Sequence, residues 1–411
     1  MRTLADVKKN ESVLFITSQL RQREIKMAHA LKFLGWSVGL IYYKSTPINP
    51  EGNFDFIKEV HSADQAHKIA QIMSPNLIHV FSGAIDDYIL FFTEKKIAPV
   101  VIDLNDVFTP SLMNYCPERF SLTKKALAFA DGFCARDLQV KRAVKIDHCT
   151  LPPKVILFPE YCWNKNHSLP NKKNNDEIHI VSVGTISLET YGMLDCCYLE
   201  LVQLITNQDI HFHIYPPWQY AKSHNMATNT HFERDYAQFI ELSKVNPYLH
   251  LHDSLSPEKL AEVLPQYDFG IISGGCKEFG QRYTHYKPAY VASCYSGRIS
   301  DYLDASLPIL INDEVVFNYK LLKHYGISVD LKGIIKPGFK VKLQAIRNDA
   351  NVQKNVANAA SKLSITKNAS RLARYYLNII QSEKKKPKQR KTFFSILKSL
   401  LYPIPNKDMV V

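Results

Sequence analysis

The chain has 411 residues, of which 46% are hydrophobic and 22% charged, and its net charge is +12. This length exceeds one ordinary hydrophobic core and predicts two domains of about 150–200 residues each. No segment approaches the roughly 18–20 apolar residues of a membrane span, and residues 1–10 are polar, so we expect neither a spanning helix nor a secretory signal. Eight cysteines without a CxxC pair argue against a zinc or disulfide scaffold and indicate a reduced, cytoplasmic protein.

The first half of the chain alternates short apolar runs with a helical pattern. Strands are predicted at residues 13–17, 37–43, 77–81, 99–104, 132–135 and 154–158. The first of them is followed by a helix over 23–34, which Gly35 closes. Strand, helix and strand in alternation predict right-handed crossovers and a parallel sheet.

The second half repeats this pattern after a polar stretch at residues 167–177, the best candidate for a linker. Its predicted strands are residues 178–183, 210–215, 249–251, 269–272 and 309–311. Ser256 begins a helix with Pro257 at the first helical position, and residues 353–380 are predicted to be helical. The chain therefore reads as two α/β halves.

The most informative segment is residues 298–311. Arg298 and Asp301 are three residues apart at the start of a predicted helix and so lie side by side, and an apolar strand follows Pro308. The segment resembles the C-terminal signature of nucleotide-sugar glycosyltransferases of the GT-B type. In that family the signature begins with Lys or Arg, two variable residues, Glu or Asp, Tyr and Leu. Three residues ending in Gly follow, and then one variable residue, Pro and an apolar run. Here Asp301 replaces the more frequent Glu, and Ser306 replaces the Gly.

Shorter phrases at residues 34–38, 77–81, 130–133 and 267–272 also resemble this family, in the same order along the chain. The resemblance implies an α/β fold with two Rossmann-like domains facing across a cleft. It implies an N-terminal acceptor domain of residues 1–170, completed by a C-terminal helix at 366–381. The donor domain would be residues 171–365, and residues 382–411 would form a basic tail.

The resemblance also implies the donor site. Arg298 would hold the diphosphate, because a guanidinium fork matches phosphate oxygens, and Asp301 would bind ribose hydroxyls. Gly184 permits close backbone approach, and Tyr302 is a wall or core residue of the same site. Retaining members place Arg after this Gly and a paired Glu before the acid, whereas here Thr185 and Ser293 stand at those positions. Arg282 and Lys287 are therefore added as diphosphate candidates.

For the acceptor side, Asp103 and Asp106 follow a predicted strand. Asp106, further along the loop, is the preferred catalytic base of the two, and an Asx turn or helix cap is the alternative role for this position. Arg21 and Arg23 are candidates to meet an anionic acceptor. The loop at 18–23 lacks GxGxxG, which argues against an oxidoreductase.

No cofactor or metal is expected. Two histidine pairs alternate along predicted strands, but no Cys or acid ligand is evident near them. Their members are His211, His213, His250 and His252.

The tail carries half of the net charge. Residues 382–411 contain eight Lys/Arg and two acidic residues, hence +6, and residues 393–402 are mostly apolar or aromatic. A basic segment beside apolar residues favours an anionic membrane surface, contacted through 384–402, over a solvated tail or a nucleic-acid contact.

The sequence thus predicts a glycosyltransferase on the inner membrane face, moving a sugar from a nucleotide donor to a glycan or lipid-linked acceptor. A nucleotide-sugar epimerase of the same fold and a catalytically silent scaffold subunit are the alternatives.

Overall fold

The computed structural model describes residues 11–43, 48–82, 87–113, 117–163, 176–184, 193–194, 196–217, 229–272, 282–283, 287–331, 334 and 337–383. They form two compact units, one of residues 1–161 and 365–411 and one of residues 162–364. Apart from residues 176–177, the predicted linker lies outside the described residues, as does the basic stretch 384–402. Within the described part of the chain, no helix is long and apolar enough to cross a membrane.

The first unit is built on a parallel sheet of seven strands. The strands are β1 (Ser12–Thr17), β2 (Ser37–Tyr42), β3 (Phe56–Glu59), β4 (Leu77–Ser82), β5 (Val100–Leu104), β6 (Gly132–Ala135) and β7 (Lys154–Leu157). The helices are α1 (Gln22–Phe33), α2 (Ala63–Met73), α3 (Asp87–Glu94), α4 (Pro117–Phe129), α5 (Gln139–Lys145) and, from the end of the chain, α14 (Ile365–Glu383). The strand order β3-β2-β1-β4-β5-β6-β7 is that of a Rossmann-like sheet.

Helix α14 is part of the core of this unit. Its Tyr376 is fully buried, meets the Trp36 ring edge-on and hydrogen-bonds Nδ1 of His79 on β4. Gly132 on β6 leaves the space into which α14 packs, because an added Cβ would lie 2.5 Å from Cδ1 of Ile379. The first unit therefore needs residues from both ends of the chain.

The second unit repeats the architecture with a parallel sheet of six strands. Its strands are β8 (His179–Val183), β10 (His211–Tyr215), β11 (Leu249–Leu251), β12 (Phe269–Ile272), β14 (Ile309–Ile311) and β15 (Ser328–Asp330), while β9 (Met193–Leu194) and β13 (Arg282–Tyr283) form a separate antiparallel pair. The helices are α6 (Cys196–Thr206), α7 (Asn229–Val245), α8 (Pro257–Val263), α9 (Pro288–Ser293), α10 (Arg298–Asp304), α11 (Val316–His324), α12 (Phe339–Asn348) and α13 (Ala350–Lys362). The order β11-β10-β8-β12-β14-β15 has the same Rossmann-like form.

The predicted class of two Rossmann-like α/β halves is confirmed, with differences in detail. Strands β3, β9, β13 and β15 were not predicted. Residues 353–380 are helical as predicted, but in two helices, because α13 ends at Lys362 and α14 begins at Ile365. At the break, the Leu363 carbonyl accepts a hydrogen bond from the Cys162 amide at 2.9 Å, and Ser364 forms a β-bridge with Cys162. Leu363 and Ser364 thus pair with Cys162, which is distant in the sequence, instead of continuing the helix where the chain leaves the second unit.

Candidate functional site

Gly184 and Arg298 come together at the carboxyl end of β8. Gly184 follows the strand with a φ of +81°, a left-handed conformation that glycine adopts without strain. A Cβ placed on Gly184 would lie 3.6 Å from Nε and 3.7 Å from Nη2 of Arg298, so the guanidinium covers the glycine. Ligands of open α/β sheets bind beyond the carboxyl ends of the strands. A guanidinium held there offers charged N–H donors that suit phosphate or carboxylate oxygens.

Tyr302 fixes the helix that carries Arg298. It is fully buried, and its hydroxyl lies 3.2 Å from the Val181 carbonyl and 3.1 Å from the Ile271 carbonyl and accepts a 3.3 Å bond from the Val183 amide. Its ring packs on Gly270, where an added Cβ would lie 2.5 Å from Cδ2. Burial raises the pKa of the phenol, which stays protonated and able to donate. This geometry makes Tyr302 an anchor of α10 on β8 and β12.

The other predicted donor residues are less closely defined. Asp301 is half-buried beside Arg298 on α10, and Lys287, also half-buried, precedes α9. Arg282 pairs through its backbone with Leu194 in the antiparallel pair, and its side chain lies outside the described residues. Thr185 lies outside them as well.

Two positions that depart from the signature have clear local roles. Ser293 is buried, and its hydroxyl donates to the Ala289 carbonyl at 2.6 Å. Ser306 has a φ of +59°, the left-handed conformation that explains the glycine usual at this position. Ser306 therefore adopts, with some strain, the turn that glycine would adopt freely.

The first unit contains a cavity of about 90 Å³ beyond the carboxyl ends of its strands. Both predicted acceptor-side arginines line it. The complete lining is Arg21, Arg23, Glu24, Phe81, Ser82, Asp103, Asn105, Arg136 and Glu160. The predicted base Asp106 is not part of this lining; it is half-buried in the loop after β5, and its Oδ2 accepts a 3.1 Å bond from the side chain of Asn105.

Arg23 lies beneath the cavity and is held by a buried ion pair. Its Nε and Nη2 lie 2.9 and 2.6 Å from Oδ2 of Asp103, and Nη2 also donates to the Phe158 carbonyl at 2.7 Å. Although burial opposes it, the Asp103 carboxylate raises the pKa of Arg23, which stays charged. Nη1 is buried without a hydrogen-bond partner. The cavity floor thus retains one unused cationic donor, whereas the carboxylate of Asp103 is engaged by Arg23.

Three side chains below this cavity have the spacing of metal ligands. His79, Asp103 and Cys134 each place one ligand atom within 4.8 Å of the others. Arg23 already contacts two of them, since its Nη2 lies 3.6 Å from Sγ of Cys134 and 2.6 Å from Asp103. A guanidinium in this position disfavours a second cation, so this cluster is an ion-pair network.

Glu24 is a charged residue of the cavity that the sequence did not single out. It is 3% exposed, Oε1 accepts a 3.3 Å bond from the Thr17 hydroxyl, and Oε2 has no hydrogen-bond partner. Burial raises its pKa from 4.5 to about 7, opposed by the positive charge of Arg21. A buried carboxyl that titrates near neutrality is typical of groups that bind or transfer protons.

The architecture of this chain was compared with those of known proteins. No protein-family model and no curated protein sequence matches the chain. Among solved structures, a glycosyltransferase from Rickettsia africae ESF-5 is similar to it, with a TM-score of 0.63 and 12% identity over 90% of this chain and 99% of that one. The chain has the GT-B fold.

Two further structures share the GT-B fold with this chain. A variant of the O-GlcNAc transferase from Thermobaculum terrenum has a TM-score of 0.55 and 10% identity, over 91% of this chain and 69% of that one. A Listeria monocytogenes protein assigned as a UDP-N-acetylglucosamine 2-epimerase has a TM-score of 0.52 and 12% identity, over 93% and 99% of the two chains. At such identities the likeness shows the fold alone.

Proposed function

We propose that this chain is a glycosyltransferase that uses a nucleoside-diphosphate sugar. The observation that carries the proposal is the Arg298 guanidinium lying over Gly184 at the carboxyl end of β8. The glycine leaves room for a diphosphate to approach the backbone, and the guanidinium supplies two parallel N–H donors to its oxygens. Asp301, on the same face of α10, is the proposed ligand of the ribose hydroxyls.

The proposed reaction joins the acceptor oxygen to the anomeric carbon of the sugar. That bond forms as the bond between the anomeric carbon and the diphosphate oxygen breaks, and the diphosphate leaves with the electron pair. Arg298 stabilises the negative charge that develops on the leaving group. Asp106 is the proposed base, and its carboxylate takes the proton of the acceptor hydroxyl. The proposed acceptor is a glycan or a lipid-linked sugar.

The donor proposal is tested by nucleotide binding. Calorimetry with UDP, GDP, ADP and dTDP is expected to show one preferred nucleotide, and Arg298→Ala is expected to weaken it by about 10- to 100-fold, as for the loss of a charge-assisted hydrogen bond. Arg374→Ala, on the first unit's α14, is a matched arginine control. Equal affinity in Arg298→Ala and the wild type would contradict the donor site. Absence of binding by any nucleotide would favour the silent scaffold subunit.

An epimerase is the second candidate, because one of the similar structures is assigned to that activity. The two reactions differ in the need for an acceptor. An epimerase converts UDP-N-acetylglucosamine alone to its 2-epimer, whereas a transferase releases UDP only when an acceptor hydroxyl is supplied. Product analysis after incubation of the sugar nucleotide with the full chain separates them.

We also propose that residues 384–402 bring the protein to an anionic membrane surface on the cytoplasmic side. The support is the charge of the tail, at about 1 kcal/mol for each basic residue near the surface. The full chain is expected to sediment with phosphatidylglycerol vesicles. It is not expected to sediment with neutral phosphatidylcholine vesicles. A variant with glutamine at every basic position from 384 to 391 should stay in solution; if it pellets like the wild type, the tail is not the membrane contact.

A further inference from the structure

One face of the second unit's sheet carries a histidine ladder, defined as His179, His211, His213, His250 and His252. The rings stack across neighbouring strands, with centroids of His179 and His211 4.5 Å apart and those of His213 and His250 4.4 Å apart. The opposite face of the same strands bears the apolar core residues Ile180, Phe212, Ile214 and Leu249. The ladder is thus a polar layer of one sheet face, separate from the core.

The ladder ends beside an acid. Glu177 precedes β8, and its carboxylate oxygens lie 3.7 Å from Nε2 of His179 and 4.0 Å from Nε2 of His211. His179 and His211 are the first residues of β8 and β10 and pair directly in the sheet. One ligand atom from each of the three residues lies within 4.8 Å of the other two. The structure therefore supplies the acidic neighbour that the spacing of the histidines in the sequence does not reveal.

We propose that Glu177, His179 and His211 form a binding site for a divalent transition-metal ion such as Zn²⁺. Two imidazole nitrogens and one carboxylate, with a fourth position open to water, are a common ligand set for this ion. Ligand atoms around a tetrahedral Zn²⁺ are about 3.4 Å apart, given bond lengths near 2.1 Å. The ligand atoms lie within 4.8 Å of one another, so each pair would close by at most about 1.4 Å on binding. Glu177 can supply part of this movement, because its side chain is 56% exposed.

The rest of the ladder orients the two ligand histidines. Nδ1 of His179 lies 2.9 Å from Nε2 of His213, and Nδ1 of His211 lies 2.9 Å from Nε2 of His250. Each of these bonds holds one proton between two nitrogens. When Nδ1 of the ligand histidine carries that proton, its Nε2 presents a lone pair towards Glu177, as metal-bound histidines with a hydrogen-bonded second nitrogen do. Nδ1 of His213 continues the chain to Nε2 of His252 at 2.9 Å.

The ladder and its charged surroundings suit this role. Three charged groups among the described residues near the site are Glu177, Asp268 and Arg347. Asp268 accepts from the His179 amide at 2.8 Å, and Arg347 lies 3.8 Å from Asp268 and donates to the Glu177 carbonyl. These three groups together carry one net negative charge, which favours a cation.

The proposed metal site is remote from the proposed donor site. His179 begins β8 and Gly184 follows its end, a span of five residues or about 16 Å at the usual rise of a strand. A metal at Glu177 would join β8 to β10 at the amino ends of these strands, opposite the carboxyl ends where the donor site is proposed. We therefore assign it a structural role that stabilises the second unit, without contact to the leaving diphosphate.

The test is metal binding by the full chain after treatment with a chelator. Calorimetric titration of wild type with Zn²⁺ is expected to show one equivalent bound at micromolar concentration or below. Glu177→Gln and His211→Gln are each expected to weaken binding at least tenfold. His324→Gln is the control, since His324 is exposed at the end of α11 and is not a member of the ladder.

Co²⁺ identifies the ligands. A site of two histidines and a carboxylate gives visible d–d absorption without thiolate charge transfer, whereas binding to the cysteines gives strong near-ultraviolet charge-transfer bands. Thiolate bands, absence of stoichiometric binding, or equal affinity in Glu177→Gln and the wild type would each overturn the proposal. Circular dichroism of Glu177→Gln checks the fold, and its exposed side chain makes misfolding of this variant an unexpected result.

Discussion

Replacing Glu24 with Gln tests the electrostatics of the cavity in the first unit. Glu24 is 3% exposed and its pKa is raised by burial from 4.5 to about 7. The folded protein therefore binds a proton more tightly at this position than the unfolded chain does. This contribution to stability is complete below about pH 4.5 and is lost as the pH rises through about 7. A shift of this size corresponds to about 3 kcal/mol, at 1.36 kcal/mol per pH unit.

The Gln side chain has the shape of the protonated acid and does not titrate. We expect wild type and Glu24→Gln to have similar unfolding free energies near pH 4.5. As the pH rises, the unfolding free energy of the variant should increase relative to that of the wild type. Near pH 9, where the wild type must bury a charge, the variant should be more stable by about 3 kcal/mol.

The assay is urea unfolding across this pH range, read from the fluorescence of Trp36, which is buried in the first unit. Trp163 and Trp218, the other two tryptophans, are replaced by phenylalanine in every protein compared. Glu118→Gln, at an exposed position of α4, controls for the loss of one negative charge. A constant difference between Glu24→Gln and the wild type at all pH values would refute the reasoning.

Two further predictions concern the packing and strain around the helix that carries Arg298. Gly270→Ala should destabilise the second unit by about 3 kcal/mol or more, because the new methyl would lie 2.5 Å from Cδ2 of the buried Tyr302 ring. Thermal unfolding measures this, and an unchanged midpoint would show that the ring moves freely. Ser306→Gly should stabilise the same unit by up to about 1 kcal/mol, since a φ of +59° strains serine and not glycine. Urea unfolding checks it, and a lower midpoint would mean that the entropy of the unfolded glycine outweighs the strain.

Much of the fold follows from local pattern in the sequence. The apolar runs at 269–272 and 309–311 form β12 and β14 with the predicted bounds, because fully buried parallel strands are continuous apolar segments. Ser256 caps α8 as predicted, its hydroxyl accepting from the Lys259 amide. Strand β3 escaped prediction, since its residues are only partly buried or exposed and carry no continuous apolar run.

The site was predictable only where a motif carries it. Arg298 and Gly184 each belong to a recognisable phrase, and the structure brings the two phrases together. Glu24 sits in an ordinary helical pattern, and its raised pKa comes from burial that no local pattern announces. Arg23 was predicted to meet an anionic acceptor, yet it pairs with Asp103, 80 residues away in the sequence. Glu177 became a neighbour of His211 only through the pairing of β8 with β10.

The contribution of α14 to the first unit has a consequence for synthesis. During translation, the strands of this unit leave the ribosome first, but Tyr376 and Ile379 follow more than 200 residues after Leu157, the last residue of β7. Until they arrive, the site around Gly132, Trp36 and His79 has no cover. The second unit is contiguous and can complete its core earlier. The unit that begins the chain is therefore the last to finish folding, and a nascent chain halted before α14 would expose an apolar surface to chaperones and proteases.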